Sequence, residues 1–475
     1  MINKYLEQQI KEYFHFEPTF EQERCISSIS GFLFSQENSE IFLLKGFAGT
    51  GKTSLVGALV HAMDKLEQKV MLLAPTGRAA KVFSIYAEHP AFTIHKKIYR
   101  QRAFSNEMSN FSLADNLHQH TLFIVDEASM IANEGLSGAL GSGRLLDDLI
   151  QYVYSGTGCR LMLLGDTAQL PPVGEELSPA LDVNVLKGYG MKVRQEQLTQ
   201  VVRQSAGSGI LYNATSLRQM MEEENVFEFP RILTGFPDVH VVNGEDLIEF
   251  LTDSYNKVGM DGTIVVTRSN KRANIYNRGI RNSILYREEE LSGGDLLMIA
   301  KNNYFWTAGC KELEFIANGD IAVVRRVRRT REMYGFRFAD VLLSFPDYND
   351  LELDTTVLLD TLQSESPSLS KDDNNRLFNT ILEDYSDIPL KHDRMKNMKA
   401  DPYYNALQVK YAYAVTCHKA QGGQWSHVYL DQGYLTEEML GPDYYRWLYT
   451  AFTRATEHVY LVNWPEKQIE NPSSD

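Results

Sequence analysis

Short apolar runs alternate with amphipathic helical stretches through the first half of the chain. Ile41–Leu44, Val70–Leu73, Leu122–Val125 and Leu161–Leu164 are unbroken apolar segments, each followed by a polar, Gly-rich or acidic turn. That is the pattern of strands buried on both faces. Between the first two, Ser54 to Leu66 sets Leu55, Leu59, Val60 and Met63 on one helical face. Repetition of strand, loop and helix predicts a parallel sheet covered by helices on both sides, with ligands at the carboxyl ends of the strands.

The same texture resumes near Leu198, with strands predicted at His240–Val242, Thr263–Val266, Val428–Asp431 and Val459–Val462. From about Ala300 to Tyr403 it is interrupted. That stretch opens with short strands at Ile321–Val324, Phe336–Phe338 and Val341–Leu343 and continues as a charged, Ser/Asp-rich helical region. The expected organisation is α/β: a first domain over 1–195, a second over 196–299 and 404–475, and a small β-rich domain, 300–403, inserted into the second. No internal repeat of fixed period is visible.

A chain of 475 residues is too long for one core,. Its 43% hydrophobic and 23% charged content is that of a globular protein,. The four cysteines, Cys25, Cys159, Cys310 and Cys417, are far apart and form no C-x-x-C, which argues against a zinc site and for a reducing compartment. The opening MINKYLEQQIKEYFHF is mixed in charge, unlike a signal peptide, and no apolar run reaches the length of a membrane span. A soluble, cytoplasmic protein is expected. The net charge of −15 argues on its face against nucleic acid,, but one basic track across the surface suffices for such a partner, so the average decides nothing.

The segment GFAGTGKT (Gly46 to Thr53) follows the apolar IFLLK and precedes the first helix, the context a phosphate-binding loop requires,. Gly46, Ala48, Gly49, Thr50 and Gly51 would turn backbone N–H groups toward phosphate oxygens, aided by the helix N-terminus. Lys52 would reach the terminal phosphates of ATP and the Thr53 hydroxyl would hold Mg²⁺. Asp126 and Glu127 end a buried strand, one carboxylate suited to the metal and the other to an attacking water. A third strand ends in Gly165, Asp166 and Gln169, and the glutamine is of the type that orients water or senses the γ-phosphate. Arg203 and Arg454, in the second α/β region, are candidates to stabilise transition-state charge, an effect worth about 10³–10⁵ in rate.

The ordered motifs resemble those of superfamily 1 helicases, in particular the RecD-like and Dda-like branch. GFAGTGKT resembles motif I, APTGRAAK (Ala74–Lys81) motif Ia, and TIHKKIY (Thr93–Tyr99) the DNA-contacting motif that follows. VDEASM resembles motif II, LLGDTAQLPPVG motif III, LTQVVRQ motif IV, AYAVTCHKAQGGQW (Ala412–Trp425) motif V and LYTAFTRATEHVYLV motif VI. PTFEQERCISSI resembles the adenine-reading Q motif, with Gln22 as the contact, and NGDIAVV (Asn318–Val324) the start of an SH3-like insertion.

The resemblance implies two RecA-like P-loop domains with ATP between them, and movement 5′→3′ on single-stranded DNA. It carries Lys52, Thr53, Asp126, Glu127, Gln169, Arg203 and Arg454 into the phosphate, metal, base and arginine-finger roles, and sets Gly422 beside the nucleotide. Many relatives carry a glutamate just after the Gln-Gly of motif V, whereas the position near Gln424 is uncharged here, leaving sugar discrimination unassigned. Asp347–Met398 matches no motif.

A motor that tolerates every sequence grips phosphates and stacks on bases. Candidates for that track are Thr76, Arg78 and His95 in the first domain and Thr416, His418, Lys419 and Gln421 in the second. The basic, aromatic stretch Lys96–Asn116 stands where relatives carry a strand-splitting pin. Phe104 and Phe111 there either stack on bases, worth about 1–3 kcal/mol each, or anchor a hairpin. RRVRRTR (Arg325–Arg331) holds five arginines beside a predicted strand, readable as a DNA contact or as a charged, aggregation-resistant edge. The partners expected are single-stranded and tailed duplex DNA and replication or repair proteins, with no membrane and a monomeric chain. An RNA-directed motor and a protein-binding ATPase switch are the rival readings; a nuclease-helicase lacks an acidic/lysine constellation outside the motor motifs.

Overall fold

The computed structural model describes residues 2–14, 16–101, 111–133, 142–202, 207–310, 313 and 315–471. The first α/β unit runs α1 (Ile2–Tyr13), α2 (Phe20–Leu33), β1 (Glu40–Gly46), α3 (Lys52–Lys65), β2 (Lys69–Ala74), α4 (Gly77–Ala87), β3 (Ala91–Thr93) and α5 (Ile94–Ile98). It continues through β4 (Tyr99–Gln101), β5 (Phe111–Leu113), β6 (Thr121–Val125), α6 (Leu145–Ser155), β7 (Arg160–Gly165), α7 (Val183–Gly188) and β8 (Lys192–Leu198). Its six-stranded sheet has the order β3-β2-β6-β7-β1-β8, every pair parallel. The period-two geometry of a strand divides each apolar run between the faces. Phe42 and Leu44 pack with α1, α2 and α3, while Ile41 and Leu43 pack with α6.

The second unit comprises α8 (Gly209–Glu222), β9 (Ile232–Leu233), β10 (Val239–Val242), α9 (Leu247–Val258), β11 (Thr263–Thr267) and α10 (Asn270–Ser283). After an excursion it returns through β17, α13, β18, α14 and β19, placed below. The excursion is β12 (Leu296–Ile299), β13 (Ile321–Met333), β14 (Phe336–Phe345), β15 (Leu351–Leu358), α11 (Lys371–Asp384), α12 (Lys391–Lys399) and β16 (Leu407–Tyr411). Then come β17 (Ala414–Thr416), α13 (Cys417–Ala420), β18 (Trp425–Asp431), α14 (Pro442–Phe452) and β19 (Ala455–Val462). The second sheet is parallel throughout, ordered β10-β19-β18-β11-β17.

Strands β12 to β16 close into a barrel. It takes in a strand on each side of the 300–403 stretch, and its interior, including Leu297, Val324, Val341, Val357 and Val409, is continuous with one face of the second sheet. Two expectations for this region are corrected. The short strands at Phe336–Phe338 and Val341–Leu343 are one strand, β14, paired along most of β13. The intervening Asp340 does not break it, because Arg331 and Thr356 satisfy its carboxylate. The part that follows these strands is also not purely helical: Leu351, Leu353, Thr355 and Val357 alternate with Glu352 and Asp354 along β15. Helices α11 and α12 then cover the far end of the hairpin with Leu377, Ile381 and Met398 against Phe336 and Phe338.

The barrel also touches the first domain. Lys81 of α4 donates to the Pro346 carbonyl at 3.0 Å and lies 3.3 Å from Asp347. A Cβ on Gly77 would meet the Tyr348 hydroxyl at 2.7 Å and Asp320 at 2.9 Å. Asp320 accepts from the Ala317 amide at 2.7 Å and from the Tyr348 hydroxyl at 3.1 Å. Burial, with the Asp347 charge beside it, nevertheless pushes its carboxyl up to about 7. The folded state therefore holds this proton more tightly than the unfolded chain does. The associated stability is complete below the ordinary carboxylate range and is lost as pH rises through about 7,. Asp320→Asn should raise the melting temperature relative to wild type, by more at pH 8 than at pH 5; an equal change at both, followed by scanning calorimetry, would refute the buried-carboxylate account.

Candidate nucleotide cleft and strand track

The loop between β1 and α3 turns on two left-handed glycines, Gly49 at φ 77° and Gly51 at φ 82°, a conformation that penalises any side chain. Gly46 has no room either: a Cβ there would lie 2.8 Å from the Lys52 side chain. Thr50 closes the turn by donating its hydroxyl to the Phe47 carbonyl at 2.8 Å. Lys52 folds back on the carbonyls of Gly46 and Phe47, so its ammonium lies over the loop. Thr53 follows in the first turn of α3.

Gln22, expected at the adenine, is turned to this loop instead. Its amide oxygen accepts from the Thr19 amide at 2.9 Å and its nitrogen donates to the Thr50 carbonyl at 3.1 Å. Both polar ends are used, one in the capping box that starts α2 and the other in bracing the loop,. The neighbouring Glu21, which sequence reasoning passed over, accepts from the Thr199 amide and hydroxyl and from the Gln200 amide. Burial works against its charge, but the Thr199 hydroxyl, those amides and Arg24 outweigh it and hold the carboxyl below its usual range. Glu21 thus seats the segment that continues to Arg203. Arg203 itself lies outside the described residues.

Asp126 ends β6 at the carboxyl edge of the sheet. Burial, then the Glu127 charge, raises its carboxyl to about 6, against the pull of the Glu127 amide, Lys52 and Arg454. Glu127 adopts the left-handed backbone at φ 51°, uncommon for a side chain of this kind and frequent at functional sites. Two adjacent carboxylates facing Lys52, with the Thr53 hydroxyl at the start of α3, suit a divalent cation completed by substrate oxygens. Among the described residues no group of three or more His, Cys, Asp or Glu forms a self-sufficient metal site.

Helix α14 brings the second domain onto these groups. Arg454, immediately beyond its end and 3% exposed, lies 3.7 Å from Glu127 and donates to the carbonyls of Thr450 and Gly423. Thr450 accepts from the Leu170 amide at 2.9 Å. Tyr449 accepts from the Ala48 amide at 2.9 Å and donates to Asp166 at 2.7 Å. Sequence reasoning singled out Arg454 but neither Tyr449 nor Thr450. Within an apolar helix a tyrosine reads as core, and only its place in the motif VI segment hinted otherwise. Asp166 also accepts from the Ala168 amide at 2.9 Å, closing the turn that carries Gln169. Gln169 is buried with Lys45, Asp166 and Arg446 around a cavity of about 370 Å³.

Several track candidates sit at the seam between the domains rather than on a common free surface. Thr76 caps α4 through the Ala79 amide at 3.2 Å. Arg78 stacks on Trp425, its guanidinium 4.0 Å from the ring centre, and donates to the Gln424 carbonyl. Gln421 is buried and donates to the Leu170 carbonyl at 2.7 Å, so it ties motif V to motif III. Gly422, expected at the nucleotide, lies instead against Thr76, Ala79 and Met130. Its φ of 73° and the 2.9 Å that would separate a Cβ from Ala79 explain the glycine by close domain approach. His95 packs near Tyr99 and Phe315 and is driven down to about 4 by burial, a neutral ring rather than a cation.

Thr416, exposed His418 and Lys419 remain together at α13, with Lys419 lowered to about 8 by burial and bonded to Asn318 of the barrel. Phe104 lies outside the described residues. Phe111 begins β5, which pairs with β4 as a short antiparallel ladder. On β13, Arg328 and Arg331 pair with Asp354 and Asp340, and Arg325 with Asp350 and Glu352. Arg326 and Arg329 are exposed and take no ion pair among the described residues.

Two parallel α/β domains, the phosphate loop of one facing an arginine of the other, define a P-loop ATPase with a divided active site. Residues 32–228 match the AAA domain family and residues 411–462 the UvrD-like helicase C-terminal domain family. With both matches in that order, the chain joins an AAA domain to a UvrD-like helicase C-terminal domain. It is similar to an uncharacterized protein of Acanthamoeba polyphaga mimivirus, 22% identical over 498 residues, covering 90% of this chain and 96% of the relative. It is also similar to the ATP-dependent RecD2 DNA helicase of Deinococcus radiodurans, 31% identical over 178 residues, or 37% of this chain and 21% of that one. Among solved structures, Pif1 helicase from Bacteroides in complex with ADP-AlF3 and single-stranded DNA is 14% identical, with a TM-score of 0.47 over 96% of this chain and 95% of that one. Among the described residues no helix is long and apolar enough to cross a membrane.

The seam is open to a direct test. Gly422→Ala should destabilise the chain by about 1–3 kcal/mol through the strained backbone and the contact with Ala79,. A denaturant midpoint indistinguishable from wild type would show that the domains do not meet at this glycine.

Proposed function

We propose that this chain is an ATP-driven motor that moves 5′→3′ along single-stranded DNA and unwinds duplex DNA ahead of it. The observation that carries this reading is the approach of Arg454 to Glu127, 3.7 Å apart across the cleft between the domains. A nucleotide held by the loop lies at that junction, so its hydrolysis is tied to the relation between two bodies.

Lys52 and the loop amides of Gly46 to Thr53 bind the phosphates, and Arg454, with Arg203, supplies positive charge from the second domain. Thr53 and Asp126 would hold Mg²⁺, which supplies charge neutralisation at the phosphate oxygens. Glu127 takes the proton from the attacking water, and Gln169 orients that water. In the arrangement described, Arg454 is the counter-ion of Glu127; a γ-phosphate competes for that guanidinium and leaves the carboxylate free to act as base. Closing and opening of the cleft then alternate the grip of the two domains on the strand. Thr76 and Arg78 belong to one grip and Thr416, His418 and Lys419 to the other. We assign 1–195 to the first motor domain, 196–299 and 404–475 to the second, and 300–403 to the insertion. The partners of this reading are single-stranded and tailed duplex DNA and the proteins of replication or repair. The chain works as a monomer in the cytoplasm.

Lys52→Ala should abolish ATP turnover. Glu127→Gln should retain nucleotide binding while hydrolysing at least about 100-fold more slowly, and near-normal turnover in that variant would remove Glu127 as the base. Unwinding of duplexes bearing one single-stranded tail should require a 5′ tail. Unwinding from 3′ tails alone would reverse the polarity and leave the ATPase assignment standing.

A further inference from the structure

Tyr449, from the second domain, touches both the phosphate loop and motif III with a single atom. Its hydroxyl, 1% exposed, accepts from the Ala48 N–H at 2.9 Å and donates to Asp166 at 2.7 Å. Those two bonds orient it completely. The carboxylate requires the phenol proton, and the amide requires an oxygen lone pair. Asp166 uses its other oxygen on the Ala168 amide at 2.9 Å and so shapes the turn that carries Gln169. The buried Gln169 side-chain oxygen has no hydrogen-bond partner among the described residues. One residue beyond it, Leu170 is held by Thr450 through its amide and by Gln421 through its carbonyl. The motif III turn is therefore gripped by the second domain on both sides while its one sensing atom is unpaired.

We infer that Tyr449 is a positioning residue that reads whether phosphate fills the loop and transmits that state to motif III and the second domain. The inference rests on the ATPase reading above. An amide N–H has one hydrogen to give, and in a phosphate loop such hydrogens go to phosphate oxygens. Ala48 therefore serves Tyr449 or a bound phosphate at full strength, not both. Phosphate entry weakens the tyrosine's hold on the loop. With it the donor to Asp166 is disturbed, and the turn bearing Gln169 is released to bring its unpaired oxygen to a partner. Phosphate departure restores the bridge and reseats α14 on the first domain. Burial, followed by the Asp166 charge, holds the phenol well above its ordinary range.

The test uses the full chain and two readouts, equilibrium binding of a fluorescent ADP and ATP turnover with and without single-stranded DNA. Tyr449→Phe keeps the ring and removes the bridge. Freed from competition, the loop should bind ADP about 2- to 10-fold more tightly, the equivalent of one hydrogen bond. The ATP KM should fall in parallel, while kcat falls more with DNA than without it. A residue that merely packs α14 would instead weaken ADP binding and lower both rates together. Unchanged or weaker ADP binding overturns the inference.

Asp166→Asn leaves the aromatic packing intact and replaces two acceptor oxygens by one, for which the Ala168 amide and the Tyr449 hydroxyl must compete. It should shift ADP affinity in the same direction, and the double variant should add little to either single change. Additive effects would show that the two residues do not act through one bridge, and would also overturn the inference. Wild-type protein without DNA-stimulated hydrolysis would sink the motor reading itself. Normal wild-type behaviour with an unaltered Tyr449→Phe would sink only the role given to Tyr449.

Discussion

Charge that must be buried to be useful cannot be left alone there, and the cleft is organised around that constraint. Asp126 and Glu127 stand side by side at the carboxyl edge of the first sheet, and burial already raises the Asp126 carboxyl to about 6. Lys52 from the loop offsets part of that negative charge, and Arg454, from the other domain, offsets a further and smaller part. A guanidinium that is 3% exposed needs an anion beside it,. Without a nucleotide that anion is Glu127, and with one a phosphate competes for the role. The two domains are thus held at their active edge by an ion pair, and in the proposed reaction its best partner would change. Tyr449 and Thr450, within a turn or so of Arg454 along the same segment, apply the same logic with hydrogen bonds to Ala48, Asp166 and Leu170.

The inserted barrel is a second tether between the domains, of different chemistry. It shares its apolar interior with the second sheet and meets the first domain through polar contacts at Lys81, Gly77 and the Asp320–Tyr348 pair. Continuous apolar packing moves as one body, whereas exposed ion pairs and single hydrogen bonds are each worth about 1 kcal/mol or less and exchange readily. The barrel is therefore one body with the second domain through its core and docks on the first through side-chain contacts, Phe315 on His95 among them.

Most of this architecture was legible in the sequence because buried parallel strands have a distinctive composition. Ile41–Leu44 and Thr263–Val266 are apolar at every position or nearly so, and each marks a strand now seen with both faces covered. Beyond the phosphate loop, Asp126, Glu127 and Arg454 could be named because their types are rare at strand and helix ends except where chemistry is done. The strand β15 was missed because Glu352 and Asp354 alternate with Leu351 and Leu353, and the acidic half dominates the local composition. The seam contacts of Tyr449, Gln421 and Arg78 were not legible for a related reason. A polar side chain that bonds across a domain seam carries the same letters as one that faces a ligand or fills a core, and only the docking of the second sheet on the first distinguishes them.

The acidic net charge of −15 is reconciled with a nucleic-acid track by where the cations are already used. Of the five arginines in Arg325–Arg331, three are neutralised by Asp340, Asp350, Glu352 and Asp354. Arg78 lies on the Trp425 ring, and Lys419 is lowered to about 8 by burial. A surface whose cations are mostly paired or stacked binds DNA less through counter-ion release than through placed amides, hydroxyls and aromatic faces. Such contacts are short in range and depend on the spacing of the groups that make them. In the proposed motor their strength would follow the domain separation, which the phosphate site would set. A strongly basic groove would hold the strand in every state of the cycle, whereas this seam grips it only when the domains are correctly set.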